Sequence, residues 1–367
     1  MKGKDWVTSN LPLLLVGLIA ILLVIVIQSF QLPKEQKHVK VGCLLIGSKE
    51  DGGWNEGHYS GLLEACRAHG CKLAVREHVE EMNEDVVLAA VRGLVDEGAN
   101  VIFLTSYGFG LQLDKIAQEY PRVAFFSISG EGKAKNATTY FARLYQVRYL
   151  SGVIAGMESK TGVLGYVAAI PNSQTNRGIN AYAMGMRFAN PEARLIVRFT
   201  GSWDNEEAER ESVALLQQRG ADVITYHTDQ PNAIREAEKR GLMSIGYSGV
   251  YEEYSDRLLT AALYDWNVLY EEVLGDYLSG RANFSTAYWL GIEEDAVKLW
   301  PLSPLVSEKA AFILSMEKQR IMNDHSVFSG VIYDNQGTLR CEKGERIKDH
   351  ELFTGMDWFA EGVEIYE

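Results

Sequence analysis

The chain has few cysteines and no cluster of basic residues. Its four cysteines, Cys43, Cys66, Cys71 and Cys341, form no C-x-x-C pair and no metal pattern with histidine, so they read as small buried residues. One disulfide is permitted if the domain is extracytoplasmic, but the spacing does not choose the pair. The net charge is −13, and Lys and Arg are not clustered into a surface that could neutralise phosphates. We therefore expect no nucleic-acid partner.

The usual signatures of an enzyme are also missing. The sequence has no G-x-S-x-G elbow, no H-E-x-x-H, no Walker loop and no G-x-G-x-x-G opening a βαβ unit. The paired acids Glu206-Glu207 and Glu252-Glu253 fit the first turn of a helix or a solvated loop. We therefore predict that the protein is not an enzyme and uses no cofactor and no metal.

One long apolar run stands near the N-terminus. Residues 11–27 (LPLLLVGLIAILLVIVI) carry no charge, and extension to residue 30 gives about the 20 residues needed to cross ~30 Å of hydrocarbon. A secretory signal peptide is the alternative, but the run is long and no small-x-small cleavage site follows it. A lipoprotein signal would need a cysteine directly after the run, whereas the first is Cys43. The prediction is a tail at 1–10, a transmembrane signal-anchor at 11–30 and a linker at 31–38, holding an extracytoplasmic domain at the plasma membrane.

From Lys40 onward, short β-branched runs alternate with longer helical stretches. A first series runs from VKVGCLLI to VAFFSIS, and a second begins near Val163 with GVLGYVAAI. Such alternation is typical of doubly wound parallel sheets, so we predict an α/β fold with two such lobes around a cleft. Lobe 1 is predicted over 39–145 with a return segment near 260–300, and lobe 2 over 146–258 with C-terminal segments from about 301–367.

Ligands of open α/β sheets bind beyond the carboxyl ends of the strands. The stretch GSKEDGGWNEGHYSG, residues 47–61, follows the first strand and carries an acid, paired glycines and a tryptophan, unlike an ordinary short strand-to-helix connection. Other loops in equivalent places also carry aromatic rings. The aromatic candidates are Trp54, Tyr107, Phe109, Trp203, His227 and Tyr247. Any one of them alone could be a packing residue under a loop, but their repeated placement favours a shared cleft.

Aromatic rings at facing loop tips favour a flat, π-rich ligand, because stacking of a base contributes ~1–3 kcal/mol. A few polar groups then give direction. The polar candidates are Asn55, Asn172, Asp204, His227 and Asp229. Among them His227 can donate or accept according to its tautomer, which suits the edge of a heterocycle.

Six segments carry a family likeness. They are EDGGWNEGHYSG, TTYFARLYQVRYLSGVIAG, GYVAAIPNSQTNRGINAYAMGMR, GSWDNEEAE, GADVITYHTDQP and MDWFAEGV. In their order and spacing the chain resembles the basic membrane protein family of ABC-transporter substrate-binding proteins, the purine-nucleoside-receptor-like group. The resemblance implies a type-I periplasmic-binding-protein fold that traps a purine base or nucleoside between its lobes and delivers it to an ABC permease with its ATPase.

The resemblance also implies roles for individual residues. Trp54 would stack on the base with Asn55 beside it, and Phe109 would cover the base from the same lobe. Trp203 and His227 would come from the other lobe. A tryptophan at the first position, together with FARLYQ between the lobes, looks like the subgroup associated with purine bases, adenine especially.

Two departures from the family pattern qualify these expectations. The family commonly has an acid that holds ribose hydroxyls, and here Val250 stands at that position in GYSGVYEE. This favours a free base over a nucleoside unless Glu252 or Glu253 substitutes. The apolar segment without a lipoprotein cysteine is the second departure. An alternative function is therefore a membrane-anchored sensor or regulator that retains the binding fold without transport.

Overall fold

The computed structural model describes residues 39–129, 134–248 and 256–367. The predicted transmembrane segment at 11–30 lies outside these residues, as do Val250, Glu252 and Glu253. Within the described ranges, no helix combines the length and the apolar character that crossing a bilayer requires. Residues 40–367 form one unit, in which two parallel sheets are flanked by helices.

The strands are short and mostly buried, as expected for sheets covered on both faces. In chain order they are β1 (Lys40–Leu44), β2 (Lys72–Arg76), β3 (Val101–Leu104), β4 (Ala124–Ser127), β5 (Ala137–Ala142), β6 (Val163–Ala168), β7 (Arg194–Phe199), β8 (Val223–His227), β9 (Met243–Tyr247), β10 (Leu258–Tyr264), β11 (Tyr288–Leu290), β12 (Val297–Leu299), β13 (Ile332–Tyr333), β14 (Leu339–Cys341) and β15 (Val363–Ile365).

The helices alternate with these strands over most of the chain. They are α1 (Trp54–Ala68), α2 (Glu84–Asp96), α3 (Tyr107–Gly110), α4 (Leu113–Glu119), α5 (Tyr145–Glu158), α6 (Ser173–Ala189), α7 (Glu206–Gln218), α8 (Asn232–Lys239), α9 (Trp266–Ser279), α10 (Glu308–Met322) and α11 (Asp349–Thr354).

Two sheets organise the molecule. The first has the order β11-β5-β4-β3-β1-β2 and is parallel throughout. The second has the order β12-β10-β9-β8-β6-β7-β15, in which β12 alone runs antiparallel to its neighbour. The α/β class with parallel sheets is thereby confirmed. Since parallel strands of one sheet end at the same edge, each sheet presents its loops at one edge.

The chain passes between the two sheets three times. It leaves the first sheet after β5 and enters α5, which packs against α6 so closely that a β-carbon on Gly152 would lie 2.1 Å from the carbonyl oxygen of Tyr182. It returns after β10 into α9, which packs on α1 beside Trp266. It leaves again between β11 and β12. The return to the first sheet therefore consists of α9 and β11.

Helix α1 begins earlier than the sequence pattern indicates. The pattern places Trp54 in a loop, whereas the structure places it at the first position of α1. The carboxylate of Asp51 explains the early start, because it accepts hydrogen bonds from the backbone N–H groups of Gly53, Asn55 and Glu56. Such side-chain acceptors satisfy the free donors of a first helical turn. Trp54 is therefore held by a helix rather than by a flexible loop.

Candidate ligand-binding site

A small cavity lies where the carboxyl ends of the two sheets face each other. The described residues in its wall are Ile46, Trp54, Ser106, Tyr107, Ile128, Gln174, Trp203, Asp229 and Tyr247. We call it the cleft cavity. Five predicted site residues line it, namely Trp54, Tyr107, Trp203, Asp229 and Tyr247. The mixed apolar and polar lining of this cavity suits a ring system held by a few directed hydrogen bonds.

Trp54 forms a fixed aromatic face on the side of the first sheet. Its indole is 6% exposed, and its Nε1 donates to the carbonyl oxygen of Thr105 at 2.9 Å. The ring packs edge-on against Trp266 and Tyr264, with centroids 5.2 and 5.8 Å away. Because its one polar atom is already bonded, Trp54 can offer a ligand only its ring.

The loop before Trp54 touches the opposite side of the cleft. Gly52 has φ +72°, a conformation that glycine adopts readily. A β-carbon on Gly53 would lie only 2.2 Å from the backbone carbonyl oxygen of Asp229, which belongs to the second sheet's loop. The cleft is thus closed in this structure, and glycine is required at position 53 for the approach of the two loops.

Asp229 is the acid in the wall of the cleft cavity. Its backbone N–H donates to the carbonyl oxygen of Trp203 at 2.9 Å, which fixes the loop. Its carboxyl group has no hydrogen-bond or ion-pair partner among the residues that the structure describes. Burial, and then the charges of Asp51, Asp204 and other acids, raise the pKa of this carboxyl well above its ordinary value. A protonated carboxyl can both donate and accept, which matches an adjacent donor and acceptor on a heterocycle.

Three further rings lie together on the side of the second sheet. The centroid of His227 is 4.5 Å from that of Tyr247 and 6.1 Å from that of Trp203. Both ring nitrogens of His227 and the indole Nε1 of Trp203 are buried without a protein hydrogen-bond partner in the described part of the chain. His227 does not itself line the cavity but lies next to two residues that do.

The His227 imidazole is neutral. Burial lowers the pKa of His227 well below its ordinary value, and the cations Arg148 and Arg177 lower it further. A neutral imidazole offers one donor and one acceptor, so His227 can serve a ligand or an ordered water of either polarity.

Phe109 and Asn55 do not face the cleft cavity. Phe109 is fully buried in the apolar core on one face of the first sheet, where it packs with the residues of α2 and α4. The amide oxygen of Asn55 accepts from the backbone N–H groups of Ile46 and Gly47, and its nitrogen donates to Asp51. Asn55 therefore fixes the loop that carries Trp54.

Asn172 and Asp204 are also placed away from the cavity wall. Asn172 caps α6, since its Oδ1 accepts from the backbone N–H of Thr175 at 2.9 Å. Asp204 is exposed, and it contributes to the raised pKa of Asp229 through its charge. Both residues support the loops around the site and make no direct contribution to its wall.

Four wall residues escaped the sequence argument, namely Ile46, Ser106, Ile128 and Gln174. Ile46, Ser106 and Ile128 stand one or two residues beyond the ends of β1, β3 and β4, so the strand ends indicate their positions. The aliphatic side chains of Ile46 and Ile128 carry no further signal for a binding site. Gln174 lies in the first turn of α6, two residues after the predicted polar candidate Asn172.

Comparison with known proteins identifies relatives over most of the chain. A family model described as ABC transporter substrate-binding protein PnrA-like, named Bmp, matches residues 38–329. A purine-binding protein of Brucella abortus (strain 2308) is 30% identical over 332 residues, covering 90% of this chain and 94% of that protein. The transcriptional activator protein Med of Bacillus subtilis (strain 168) is 22% identical over 281 residues, covering 76% of this chain and 87% of its own.

Solved structures share the fold. A solute-binding protein of an ABC transporter system from Aeropyrum pernix K1 superposes with a TM-score of 0.67 at 20% identity, covering 87% of this chain and 98% of its own. A transcriptional activator of the comK gene from Bacillus halodurans gives a TM-score of 0.68 at 24% identity, covering 78% and 99%. The family match over residues 38–329 confirms the resemblance found in the sequence, and the chain therefore belongs to the Bmp family of PnrA-like ABC-transporter substrate-binding proteins.

Proposed function

We propose that the protein is the extracytoplasmic binding component of an ABC importer and that it binds a purine base, adenine or a close analogue, in the cleft cavity. Membership of the family supports the importer role. The purine-binding relative at 30% identity supports the ligand class. The permease and its ATPase are the implied partners.

One observation carries the ligand proposal. The carboxyl of Asp229 lies in the wall between aromatic rings, its pKa is raised, and no partner for it is found in the described residues. A protonated carboxyl donates one hydrogen bond and accepts another, as the amine and ring nitrogen of adenine require. Trp54 would stack on one face of the base from the first sheet, and Trp203 or Tyr247 would cover it from the second.

A free base is preferred over a nucleoside in this proposal. Val250, in place of the family's acid, removes an acceptor for ribose hydroxyls. Isothermal titration of the full chain should therefore rank adenine above adenosine. A tenfold preference for adenosine would overturn the argument about ribose, and no binding of either would overturn the purine proposal.

The membrane location is proposed from residues 11–30 alone. An uncleaved anchor keeps the protein with membranes after a high-salt wash, because ionic strength does not release a spanning helix. N-terminal sequencing of the native protein should find Met1. A start near residue 30 would contradict the anchor and leave a free extracytoplasmic protein.

A sensor or regulator is the second candidate, and the relative named transcriptional activator protein Med favours it. The two candidates differ in what deletion does. Loss of a binding component lowers uptake of radiolabelled adenine, whereas loss of a regulator changes transcript levels. Normal adenine uptake in a deletion strain would contradict the importer role.

A further inference from the structure

A second chamber adjoins the cleft cavity. It has a volume of about 150 Å³ and shares three wall residues, Tyr107, Ile128 and Gln174, with the cleft cavity. Its other wall residues are Leu111, Ser129, Ser173, Arg177, Phe353 and Thr354. We call it the side chamber. A group attached to a ligand in the cleft cavity would reach it past these shared residues.

Arg177 gives the side chamber its charge. The residue is 4% exposed, and its guanidinium carbon lies 5.1 Å from the ring centroid of Trp289 and 5.7 Å from that of Phe353. Its Nη1 donates to the carbonyl oxygen of Leu352 at 2.6 Å. Within the described part of the chain it has no carboxylate partner. Burial lowers its pKa to about 10, so it remains a cation at neutral pH.

The other N–H groups of the Arg177 guanidinium have no hydrogen-bond partner among the described residues, so they are available to a ligand. The net charge of the chain is −13, yet none of the described residues that line the side chamber is acidic. The amide of Gln174 and the hydroxyl of Tyr107 also lack protein partners in the described structure. The chamber thus combines an unpaired cation with free polar groups beside the cleft cavity.

The C-terminal segment forms one wall of the side chamber. Helix α11 supplies Phe353 and Thr354, and the Thr354 carbonyl oxygen accepts from the hydroxyl of Ser173 at 2.7 Å. Arg143, between the two sheets, pairs with Asp349 of the same helix at 2.5 Å. The family model ends at residue 329, so this wall comes from a part of the chain outside the family match.

We propose that the side chamber receives an anionic group, a carboxylate or phosphate, carried by a purine that lies in the cleft cavity, and that Arg177 is its countercharge. The inference rests on the proposed function and extends its ligand class from the free base to a purine with an acidic substituent. A carboxylate or phosphate matches the planar donor fork of a guanidinium.

Three probes separate the binding contributions of the base, of an apolar substituent and of a carboxylate. They are adenine, 9-ethyladenine and adenin-9-ylacetic acid. The acid differs from 9-ethyladenine only by a carboxylate in place of a methyl group. Titration of the full chain should show the acid binding about tenfold more tightly than 9-ethyladenine. Equal affinity of these two for the unaltered protein would overturn the inference, while adenine binding would leave the proposed function standing. No binding of any purine would overturn both.

Three variants test whether the guanidinium causes the effect. Arg177→Met should bring the acid and 9-ethyladenine to equal affinity and leave adenine affinity within about twofold. Arg122→Met, the same substitution at an exposed arginine that lines neither cavity, should keep the preference for the acid. Persistence of the preference in Arg177→Met would contradict the assignment. Arg177→Lys keeps the charge and should retain part of the preference, which gives a second measurement if the methionine variant folds poorly.

Discussion

The two walls of the cleft cavity differ in how their polar atoms are used. On the first-sheet side, two of the three polar side chains in the described wall are bonded within the protein, and the hydroxyl of Tyr107 is not. The indole nitrogen of Trp54 donates to Thr105, and the hydroxyl of Ser106 donates to the carboxylate of Glu81. This wall therefore presents a fixed, largely apolar surface.

On the second-sheet side several polar atoms are not bonded within the protein. Within the described residues, the Trp203 indole nitrogen and both nitrogens of His227 are buried without a protein partner. The carboxyl of Asp229 and the amide of Gln174 belong to partly buried residues and have no protein partner there either. Each unsatisfied buried group costs about 1–3 kcal/mol. Such a cost is understandable where a ligand or ordered water supplies the missing hydrogen bonds, so we infer that the first wall holds the ring and the second wall recognises it.

The largest expected difference is between the tryptophans of the two walls. Trp54→Ala removes a buried ring with four aromatic neighbours, so the free energy of unfolding should fall by about 3–5 kcal/mol. Trp203→Ala removes a half-buried ring and should alter stability much less. In adenine binding each should lose on the order of 1–3 kcal/mol, the usual contribution of one stack.

Chemical denaturation and titration of both variants measure this difference. Equal losses of stability would contradict the contrast between the walls. Unchanged adenine affinity in Trp54→Ala would show that Trp54 contributes to packing and not to ligand binding.

The approach of the two walls depends on Gly53. In Gly53→Ala the new β-carbon would collide with the carbonyl oxygen of Asp229, so the closed state should be disfavoured and adenine should bind on the order of a hundredfold more weakly. Small-angle scattering with adenine should then show no decrease in radius of gyration. Gly275→Ala is a matched control, because its β-carbon would meet His69 at an ordinary 3.6 Å. Normal closure in Gly53→Ala would contradict the requirement for glycine.

Glu209, which accepts hydrogen bonds from Thr228 and Asn232 on either side of Asp229 in the chain, should make stability depend on pH. Burial raises the pKa of Glu209 from 4.5 to about 7, despite hydrogen bonds from Thr228 and Asn232. The folded state therefore holds a proton that the unfolded state releases, so this contribution is complete below pH 4.5 and lost as pH rises to about 7. The loss should be about 1–3 kcal/mol.

Glu209→Gln cannot ionise and should lack this part of the pH dependence. Urea denaturation at several pH values between 4.5 and 8 compares it with the unaltered protein, roughly spanning the titration. Parallel curves for the two proteins would show that Glu209 does not titrate in this range.

The sequence predicted the framework better than the site. Apolar periodicity indicated the alternating strands and helices, because burial on both faces of a parallel sheet imposes it. Strand ends then indicated where Trp54, Trp203 and Asp229 would lie. The pattern could not show that Phe109 turns into the core while Tyr107 faces the cavity, since both occupy the one short helix α3.

Contacts between single side chains and the backbone could not be predicted from the sequence. The amide of Asn55 bonds to the nearby backbone of Ile46 and Gly47, so it is not available to a ligand. Helix α11, from near the end of the sequence, contacts Arg177 in the side chamber. Neither contact leaves a periodic signal, because each depends on one side chain meeting one backbone group.

We infer that the first wall holds the ring and the second wall recognises its polar edge. The most direct test compares the affinities for adenine and for unsubstituted purine, which lacks the amine. Titration of the unaltered protein should favour adenine by about tenfold, the value of one hydrogen bond of about 1.4 kcal/mol. Asp229→Ala should abolish this discrimination, whereas Trp54→Phe should weaken both ligands and preserve it. Discrimination that survives in Asp229→Ala, or disappears in Trp54→Phe, would contradict recognition by the second wall.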